Sequence, residues 1–294
     1  MDEDGFRLKD QRVCIVGLGL MGGSLALALK GQVAHLSAVD SDPAACRLAL
    51  EREVAAEAGG DLRLAAGADL VIVAAPVRAA VHLVGELGHL LKPGALLMDV
   101  CSVKRPLVAA MDALPPTLSA VAGHPMCGKE VSGLIHAEAS LYHGARFVLC
   151  RTARTTPAAL DAAQQVVSAV GAQALLILME ADHHDRVAAA ISHLPYLLSA
   201  ALAISAGQRA EGDPAVWELA ASGFRDTSRL AGSDPAMMAD ILLANRDDIY
   251  QALAEAREAL DRLQDAAQGG DLQALLALLS GAQRFRREWE DTRH

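Results

Sequence analysis

A glycine-rich turn near the start of the chain constrains its fold more than any other feature. Residues 17–22 have the pattern Gly-x-Gly-x-x-Gly, directly after an apolar run at 12–16 and directly before a helix-length segment at 22–30. In such a strand–turn–helix unit the first glycine permits a tight turn, the second lets a pyrophosphate approach, and the third lets the helix pack on the strand. The free N–H groups at the helix start bind negative charge. The turn therefore predicts a dinucleotide site, with expected contacts at Gly17, Gly19, Leu20, Met21 and Gly22.

The residue that follows the second predicted strand, at 36–39, favours one dinucleotide over the other. Asp40 lies 18 residues after Gly22, where a carboxylate can accept hydrogen bonds from the ribose hydroxyls of the adenosine half. A 2′-phosphate at that place would be repelled, so we expect NAD rather than NADP. The alternative is a purely structural turn, with Asp40 capping the next helix.

Short apolar runs alternate with helix-length segments over the first 180 residues. The predicted helices lie at 22–30, 43–52 and 79–91, and the predicted strands at 12–16, 36–39, 70–74, 96–100, 120–122, 147–150 and 174–178. This alternation indicates right-handed crossovers and a mostly parallel sheet covered on both faces. Ligands bind at the carboxyl ends of such strands. Three residues at strand ends, Ala75, Pro76 and Ser102, therefore join the expected cofactor contacts.

The size and charge of the chain exclude several classes of protein. Its 294 residues, 52% hydrophobic and 21% charged, are typical of two packed domains rather than of a disordered chain. A net charge of −10 and an aromatic content of 3% argue against a nucleic-acid partner. The most apolar stretch, 187–206, contains serine, histidine and proline, so we expect no membrane span.

The cysteines and the N-terminus point to the cytoplasm. The five cysteines show neither a paired motif nor metal-ligand spacing, so we expect reduced thiols and no metal ion. The first ten residues are polar and acidic, unlike a signal or transit peptide.

The strand pattern ends near residue 180. Residues 182–206 predict one long helix bent at Pro195, and its nearly continuous apolar surface should be buried by other helices or by a second subunit. Apolar residues from Met238 to Leu263 recur at helical spacing and predict an amphipathic helix, and 272–289 predict a final one after a cap at Asp271. We therefore expect an α/β domain at 1–180 and an all-α domain at 181–294.

One histidine lies where a catalytic base would be needed. His124 belongs to the segment 123–130, which is predicted as the loop after the strand at 120–122 and so lies at the ligand edge of the sheet. An imidazole can take the proton of an alcohol while hydride leaves the same carbon, because its ordinary pKa is near neutrality. The alternative is a loop histidine that caps backbone groups.

Polar residues also interrupt the helical part. Ser192, Tyr196 and Ser199 are spaced to form one polar stripe, whose partners would be a substrate or the facing helix. Arg225 and Arg229 offer planar guanidinium groups suited to carboxylates, with a solvent-exposed ionic cluster as the alternative.

Two adjacent histidines, His183 and His184, stand between Asp182 and Asp185. Neighbouring side chains on a helix point about 100° apart and cannot easily share one metal ion. We therefore expect this segment to be the solvated start of a helix.

Five motifs occur together in the order and spacing of one family. They are the glycine turn, Asp-Val-Cys-Ser-Val-Lys at 99–104, His-Pro-Met at 124–126, Ser-His-Leu-Pro at 192–195 and Phe-Arg-Asp-Thr-Ser-Arg at 224–229. Over nearly its whole length the sequence resembles the prephenate and arogenate dehydrogenases of tyrosine biosynthesis. The resemblance implies a Rossmann-type NAD-binding α/β domain and an all-α C-terminal dimerisation domain. It also implies a homodimer with the active site between the two domains.

The same resemblance implies roles for individual residues. His124 would accept the proton of the substrate's C4 hydroxyl, Ser102 would orient His124 and the nicotinamide, and Arg229 would hold a substrate carboxylate. Hydride would pass from C4 to NAD, and loss of CO2 would leave an aromatic ring. Four further residues are expected near the substrate: Arg225, Ser192, His193 and Tyr196.

The choice of substrate depends on one departure from the family pattern. Tyr196 stands where many relatives have a second histidine. The resemblance implies that this position lies near the substrate side chain. We expect prephenate, with arogenate as the alternative.

Two rival functions share this domain plan. A β-hydroxyacid dehydrogenase would use a lysine in the helical part, but no lysine follows Lys129. A nicotinamide-sensing dimer without catalysis is the other, and the presence of His124, Ser102 and Arg229 argues against it.

Overall fold

The computed structural model describes residues 6–172 and 176–292. Within these residues, eight strands form one sheet. The strands are β1 (Arg12–Val16), β2 (His35–Val39), β3 (Glu57–Gly59), β4 (Leu70–Val73), β5 (Leu96–Asp99), β6 (Ser119–Pro125), β7 (Phe147–Arg151) and β8 (Leu176–Leu178). Their order is β3-β2-β1-β4-β5-β6-β7-β8, and all neighbours are parallel except β6 and β7. The predicted, mostly parallel sheet is confirmed.

The central strands are apolar because both faces of the sheet are covered. In β1, Val13 and Ile15 pack in one core cluster, while Cys14 and Val16 pack in the cluster on the other face. All five cysteines are free thiols.

Two strand predictions need correction. The sequence predicts no strand at 57–59, because β3 is a short edge strand without an apolar run. The strand predicted at 120–122 extends to Pro125, so His124 lies within β6, opposite Val148 of β7, and not in a loop. Of the strand predicted at 174–178, residues 174 and 175 lie outside the described residues.

Five helices connect the strands: α1 (Leu20–Leu29), α2 (Pro43–Glu51), α3 (Val77–Leu90), α4 (Arg105–Asp112) and α5 (Pro157–Ala169). Side chains cap two of them. Asp42 accepts from the N–H of Ala44 at the start of α2, and Thr156 accepts from the N–H of Ala159 at the start of α5. Such caps satisfy N–H groups that lack a partner within the helix.

The long helix expected at 182–206 is present but irregular. It consists of α6 (Ala181–Ala188), a π-helical turn at Ala189–His193 and α7 (Leu194–Ala210). The N–H of Leu194 bonds to Ala189 O, five residues back. Pro195 lies directly after this wide turn and cannot donate the ordinary bond, because its nitrogen carries no hydrogen. The irregularity therefore precedes the proline.

The chain continues through α8 (Ala215–Glu218), α9 (Ser222–Ser228), α10 (Pro235–Ala244), α11 (Arg246–Gln268) and α12 (Leu272–Asp291). The single helix expected from Met238 to Leu263 was wrong, because Asn245 leaves helical geometry with φ −117° and separates α10 from α11. The cap predicted for the last helix is present, since Asp271 accepts from the N–H of Ala274.

The chain divides into two compact units, residues 1–246 and 247–294. The first contains the sheet and helices α1–α10, and the second contains α12 and nearly all of α11. The domain boundary near residue 180 stays a prediction.

Among the described residues, one helical stretch is long and apolar enough to cross a membrane by length and composition. It is Ala181–Ala210, with a hydropathy of 1.8 and 22% of its most apolar window buried. Three large apolar side chains of this stretch are exposed in the single chain: Ile191, Leu198 and Ile204. Exposed apolar side chains grouped on one helical stretch are typical of an interaction surface.

Candidate active site

The glycine turn leaves room for a diphosphate at the start of α1. A Cβ on Gly17, where φ is +105°, would lie 2.4 Å from Ala74 O, and one on Gly22 would lie 1.8 Å from Gly17 O. These two glycines are therefore required by close packing. A Cβ on Gly19 would meet nothing within 4 Å, and no side chain caps the helix there. The open N–H groups of α1 thus fit the diphosphate of a dinucleotide.

A cavity of about 660 Å³ adjoins this turn at the carboxyl edge of the parallel strands. It brings together six of the residues predicted to contact the cofactor: Gly19, Leu20, Met21, Ala75, Pro76 and Ser102. Helix α10 closes another side, where Asp240 accepts from the N–H of Arg78 at the start of α3. A smaller cavity of about 460 Å³ lies at the opposite edge of the sheet, beside His35 at the start of β2.

Asp40 holds the glycine turn against the end of β2. One carboxylate oxygen accepts from the N–H of Leu18 at 2.6 Å, and the other accepts from the N–H of Asp42 at 2.8 Å. The helix cap is Asp42 and not Asp40. Asp40 therefore places a negative charge directly beside the turn, as an adenosine ribose requires.

His124 forms the end of a buried chain of three side chains. Its Nδ1 lies 2.8 Å from Nε2 of His184, whose Nδ1 lies 2.7 Å from a carboxylate oxygen of Asp185. Asp185 also accepts from the backbone N–H groups of Lys104 at 2.7 Å and Arg105 at 2.9 Å, where α4 begins. Burial opposes ionisation of Asp185, but the hydrogen bonds from His184 and these N–H groups outweigh it and lower its pKa.

The ionised carboxylate determines the proton positions along the chain. A carboxylate only accepts, so Nδ1 of His184 donates to Asp185. In the tautomer of His184 that carries its proton on Nδ1, Nε2 is an acceptor. His124 therefore donates from Nδ1 to His184, and its Nε2 carries the lone pair. Burial and the neighbouring charges of His184, Lys104 and His193 lower the pKa of His124 well below its usual value. His124 is thus neutral near pH 7, with Nε2 able to accept a proton.

A buried ion pair supports the strand that carries His124. Lys104 is fully buried, pairs with Asp99 at the end of β5, and donates to Gly123 O at 2.5 Å. Asp99 also accepts from the N–H of Gly123 at 3.1 Å. These contacts join the carboxyl ends of β5 and β6 next to the histidine. The sequence alone assigned no role to Asp99 or Lys104.

The prediction that 182–185 form the solvated start of a helix was wrong for half of the segment. Asp182 and His183 are exposed, whereas His184 is 3% exposed and Asp185 is fully buried. The signal was helical spacing: positions 184 and 185 lie on the same buried face as Ala188 and Ala189. Within the described part of the chain, no group of three or more His, Cys, Asp or Glu could hold a metal ion.

His193, predicted near the substrate, is anchored by a residue that the sequence did not reveal. Asn245 accepts from Arg105 at 2.9 Å, so its amide nitrogen is the donor to Asp185 O at 2.7 Å and to Nδ1 of His193 at 3.2 Å. Neutral His193 therefore carries its proton on Nε2, for which the described residues offer no hydrogen-bond partner. Burial lowers the pKa of His193 to about 4, against opposition from the charge of Asp185.

The predicted polar stripe, which runs from the π-helical turn into α7, divides into two kinds of residue. Ser199 is buried and accepts from the N–H of Ala231, so the facing segment is its partner. Ser192 and Tyr196 are half-buried, and Tyr196 packs against the core cluster that also contains Met238.

The two arginines differ in their partners. Arg225 is exposed and bonds to the neighbouring Asp226 at 2.9 Å. Of the ionic cluster of Arg225, Asp226 and Arg229 considered from the sequence, this pair is the part that forms. Arg229 forms an ion pair with Glu130, which lies in the segment after β6. Arg229 therefore already binds a carboxylate, although that carboxylate belongs to the protein.

Two family models together match most of the chain. The nucleotide-binding domain of prephenate dehydrogenase matches residues 25–176, and the dimerization domain of prephenate dehydrogenase matches residues 180–281. The chain belongs to the prephenate dehydrogenase family. The predicted family, fold class and NAD cofactor are thereby confirmed, and the protein is an NAD-dependent oxidoreductase with a helical C-terminal domain of the dimerization type.

Individual relatives agree with this assignment. The chain is 31% identical to the prephenate dehydrogenase of Bacillus subtilis, over 95% of this chain and 76% of that protein. The prephenate dehydrogenase of A. aeolicus in complex with hydroxyphenyl propionate and NAD+ matches with a TM-score of 0.87 and 28% identity, over 96% of this chain and 99% of that one. Synechocystis arogenate dehydrogenase matches with a TM-score of 0.78 and 31% identity, over 95% and 99%.

Proposed function

We propose that this enzyme catalyses the NAD-dependent oxidative decarboxylation of prephenate to 4-hydroxyphenylpyruvate. The observation that carries the proposal is the state of His124: a neutral histidine at the ligand edge of the sheet, with Nδ1 engaged and Nε2 able to accept a proton. The two family models and the B. subtilis relative bear the name prephenate dehydrogenase, and this supports prephenate as the substrate.

The first role is that of the base. His124 accepts the proton of the C4 hydroxyl on Nε2, which promotes departure of hydride from the same carbon. Oxidation at C4 is followed by loss of the ring carboxylate as CO2, and the ring becomes aromatic. The protein then needs chiefly to position the substrate and to stabilise charge.

The second role is that of the cofactor site. When bound, NAD supplies the hydride acceptor. The N-terminus of α1 at Gly19 holds the diphosphate, and Asp40 holds the adenosine ribose. Ser102 lines the same cavity as the glycine turn, and we assign to it the orientation of the nicotinamide and of His124.

The third role is recognition of the substrate carboxylate. We assign this role to Arg229, because its guanidinium group already pairs with a carboxylate, that of Glu130. A substrate carboxylate would replace Glu130, in a charge-assisted pair of the same chemistry. The A. aeolicus relative is described with hydroxyphenyl propionate, which carries both a phenolic hydroxyl and a carboxylate. The remaining predicted substrate contacts stay proposals: Arg225, Ser192, His193 and Tyr196.

We further propose that the enzyme is a cytoplasmic homodimer. The match to a dimerization domain supports a second copy as the partner. Each compact unit carries exposed apolar side chains of its own that suit such a contact: Ile191, Leu198 and Ile204 in the first, and Leu272, Leu276 and Leu279 in the second.

The test is the formation of NADH by the purified enzyme with NAD, with prephenate and arogenate supplied separately and NADP as the control cofactor. Turnover of prephenate with release of CO2 is the expected result. Turnover of arogenate alone would keep the mechanism and change the substrate, in line with the Synechocystis relative. No turnover of either substrate, despite NAD binding, would refute the proposal.

A further inference from the structure

We infer that His184 and Asp185 form a positioning pair that selects which nitrogen of His124 acts as the base. The inference rests on the proposed role of His124 and adds two residues to the machinery of the reaction. Neither residue of the pair has to touch substrate or cofactor, because the pair acts on the far side of the His124 ring.

Asp185 is the fixed end of the chain. One oxygen accepts from Lys104 N and from His184, and the other accepts from Arg105 N. The two backbone donors belong to the start of α4, so the carboxylate cannot rotate without leaving helix N–H groups unpaired. The amide of Asn245 also bonds to the main-chain oxygen of Asp185. The carboxylate is therefore held in place before any substrate binds.

His184 transmits this orientation to the base. Both of its ring nitrogens are engaged, one by Asp185 and one by His124. The planes of the two rings meet at 67° and their centroids lie 5.0 Å apart. The Nδ1 edge of the His124 ring therefore points towards His184. With Nδ1 of His124 used as a donor, Nε2 is the nitrogen left to receive a proton.

Without an acceptor at Nδ1, the other tautomer of His124 becomes available. In that tautomer Nε2 carries a hydrogen and cannot accept the substrate's proton. The resulting loss of activity does not depend on pH, because raising the pH does not change which nitrogen of a neutral imidazole carries the hydrogen. Two other titratable residues act on His124, namely Lys104 and His193. Their side chains bond to Asp99 and Asn245 and not to His184, so a change of His184 removes none of these bonds.

The variants His184→Leu and His184→Gln separate positioning from packing. Leucine fills the space without an acceptor. A glutamine can accept from His124 through its oxygen and donate to Asp185 through its nitrogen. His183→Leu is the matched control, because His183 is the exposed neighbour on the same helix.

The first readout is the tautomer of His124 in the free enzyme, from ¹⁵N chemical shifts assigned by their loss in His124→Asn. The wild type, His184→Gln and His183→Leu should show an unprotonated Nε2, and His184→Leu should show a protonated one. This readout needs no substrate, so it tests the pair even if the enzyme turns over neither prephenate nor arogenate. A protonated Nε2 in the wild type would overturn the inference without any variant.

The second readout is kinetic. His184→Leu should lower kcat by ~10²–10⁴-fold with little change in KM, as for loss of a general base, and alkaline pH should not restore it. His184→Gln should recover most of the rate. Full activity of His184→Leu, or equal loss in both variants with the wild-type tautomer retained, would contradict the inference.

Discussion

The buried histidine His193 should make this enzyme sensitive to mild acid. Its pKa falls from 6.5 to about 4 in the folded chain, chiefly because burial penalises the charged ring. An unfolded chain binds a proton at this residue below pH 6.5, whereas the folded chain binds it only below about pH 4. The free energy of unfolding therefore falls as the pH is lowered through this window and is unaffected by His193 above it.

The size of the effect follows from the two pKa values. Each pKa unit corresponds to about 1.4 kcal/mol, so the interval from 6.5 to about 4 amounts to about 3 kcal/mol for His193 alone. His124 acts in the same direction, because its pKa is also lowered. The total loss between pH 7 and pH 4 should therefore exceed the contribution of His193.

Urea unfolding at fixed protein concentration, measured from pH 7 to pH 4, gives the assay. His193→Asn is the comparison variant, since its side-chain oxygen can accept from Asn245 as Nδ1 of His193 does. The variant should be less stable at pH 7 but should lose about 3 kcal/mol less on acidification than the wild type. An identical pH dependence in the two proteins would refute the reasoning from His193.

Three further predictions concern the site. His124→Asn should lower kcat by ~10²–10⁴-fold and leave NAD affinity nearly unchanged, as measured by NADH formation and by calorimetry; normal turnover would remove His124 as the base. Arg229→Ala should raise KM roughly tenfold to a hundredfold, because about 1.5–3 kcal/mol of substrate binding is lost. Glu130→Gln should lower KM, because it frees the guanidinium group of Arg229. An unchanged KM in both variants would show that the ion pair is structural. Gly19→Ala should weaken NAD binding without loss of stability, since its Cβ meets nothing within 4 Å, while Gly22→Ala should destabilise the fold; equal melting temperatures for the two variants would contradict this.

Local features of this chain were predictable because local physics determines them. The glycine turn needs only a strand before it and a helix after it, and the structure places Gly17 at φ +105° as a tight turn requires. The cap at Asp271 likewise depends on one side chain and an N–H group three residues away. Most strand positions followed from apolar runs, since a sheet covered on both faces has no polar alternation.

The chemistry around His124 was only partly predictable, because most of it comes from distant parts of the chain. Asp185 is buried because α6 packs against the start of α4, a contact across 80 residues of sequence. The polar run Asp-His-His-Asp at 182–185 looks solvated when only the neighbouring residues are considered. Asn245 gives no local signal at all, since its three polar partners lie on other elements.

The sequence did not predict the short strand β3 or the π-helical turn, and the reasons differ. Residues 57–59 read Glu-Ala-Gly and pair only with β2 at the edge of the sheet, so they need no apolar pattern. The helical periodicity of 182–206 is real, but periodicity alone does not show one wide turn within it. Pro195 indicated an irregularity, and the structure places it in the five residues before Leu194.

Because of that wide turn, the geometry of the site depends on how many residues separate the buried face of α6 from that of α7. The π turn holds one residue more than an α-helical turn, so α6 and α7 are out of phase by one position along the 30 residues of Ala181–Ala210. Deletion of one residue within 189–193 would remove the wide turn and would rotate α6 by about 100° relative to α7. Asp185 would then leave the start of α4 while Ser199 kept its place. Helical content would be preserved and the site dismantled, so single-residue insertions and deletions here are more damaging than substitutions that keep the length.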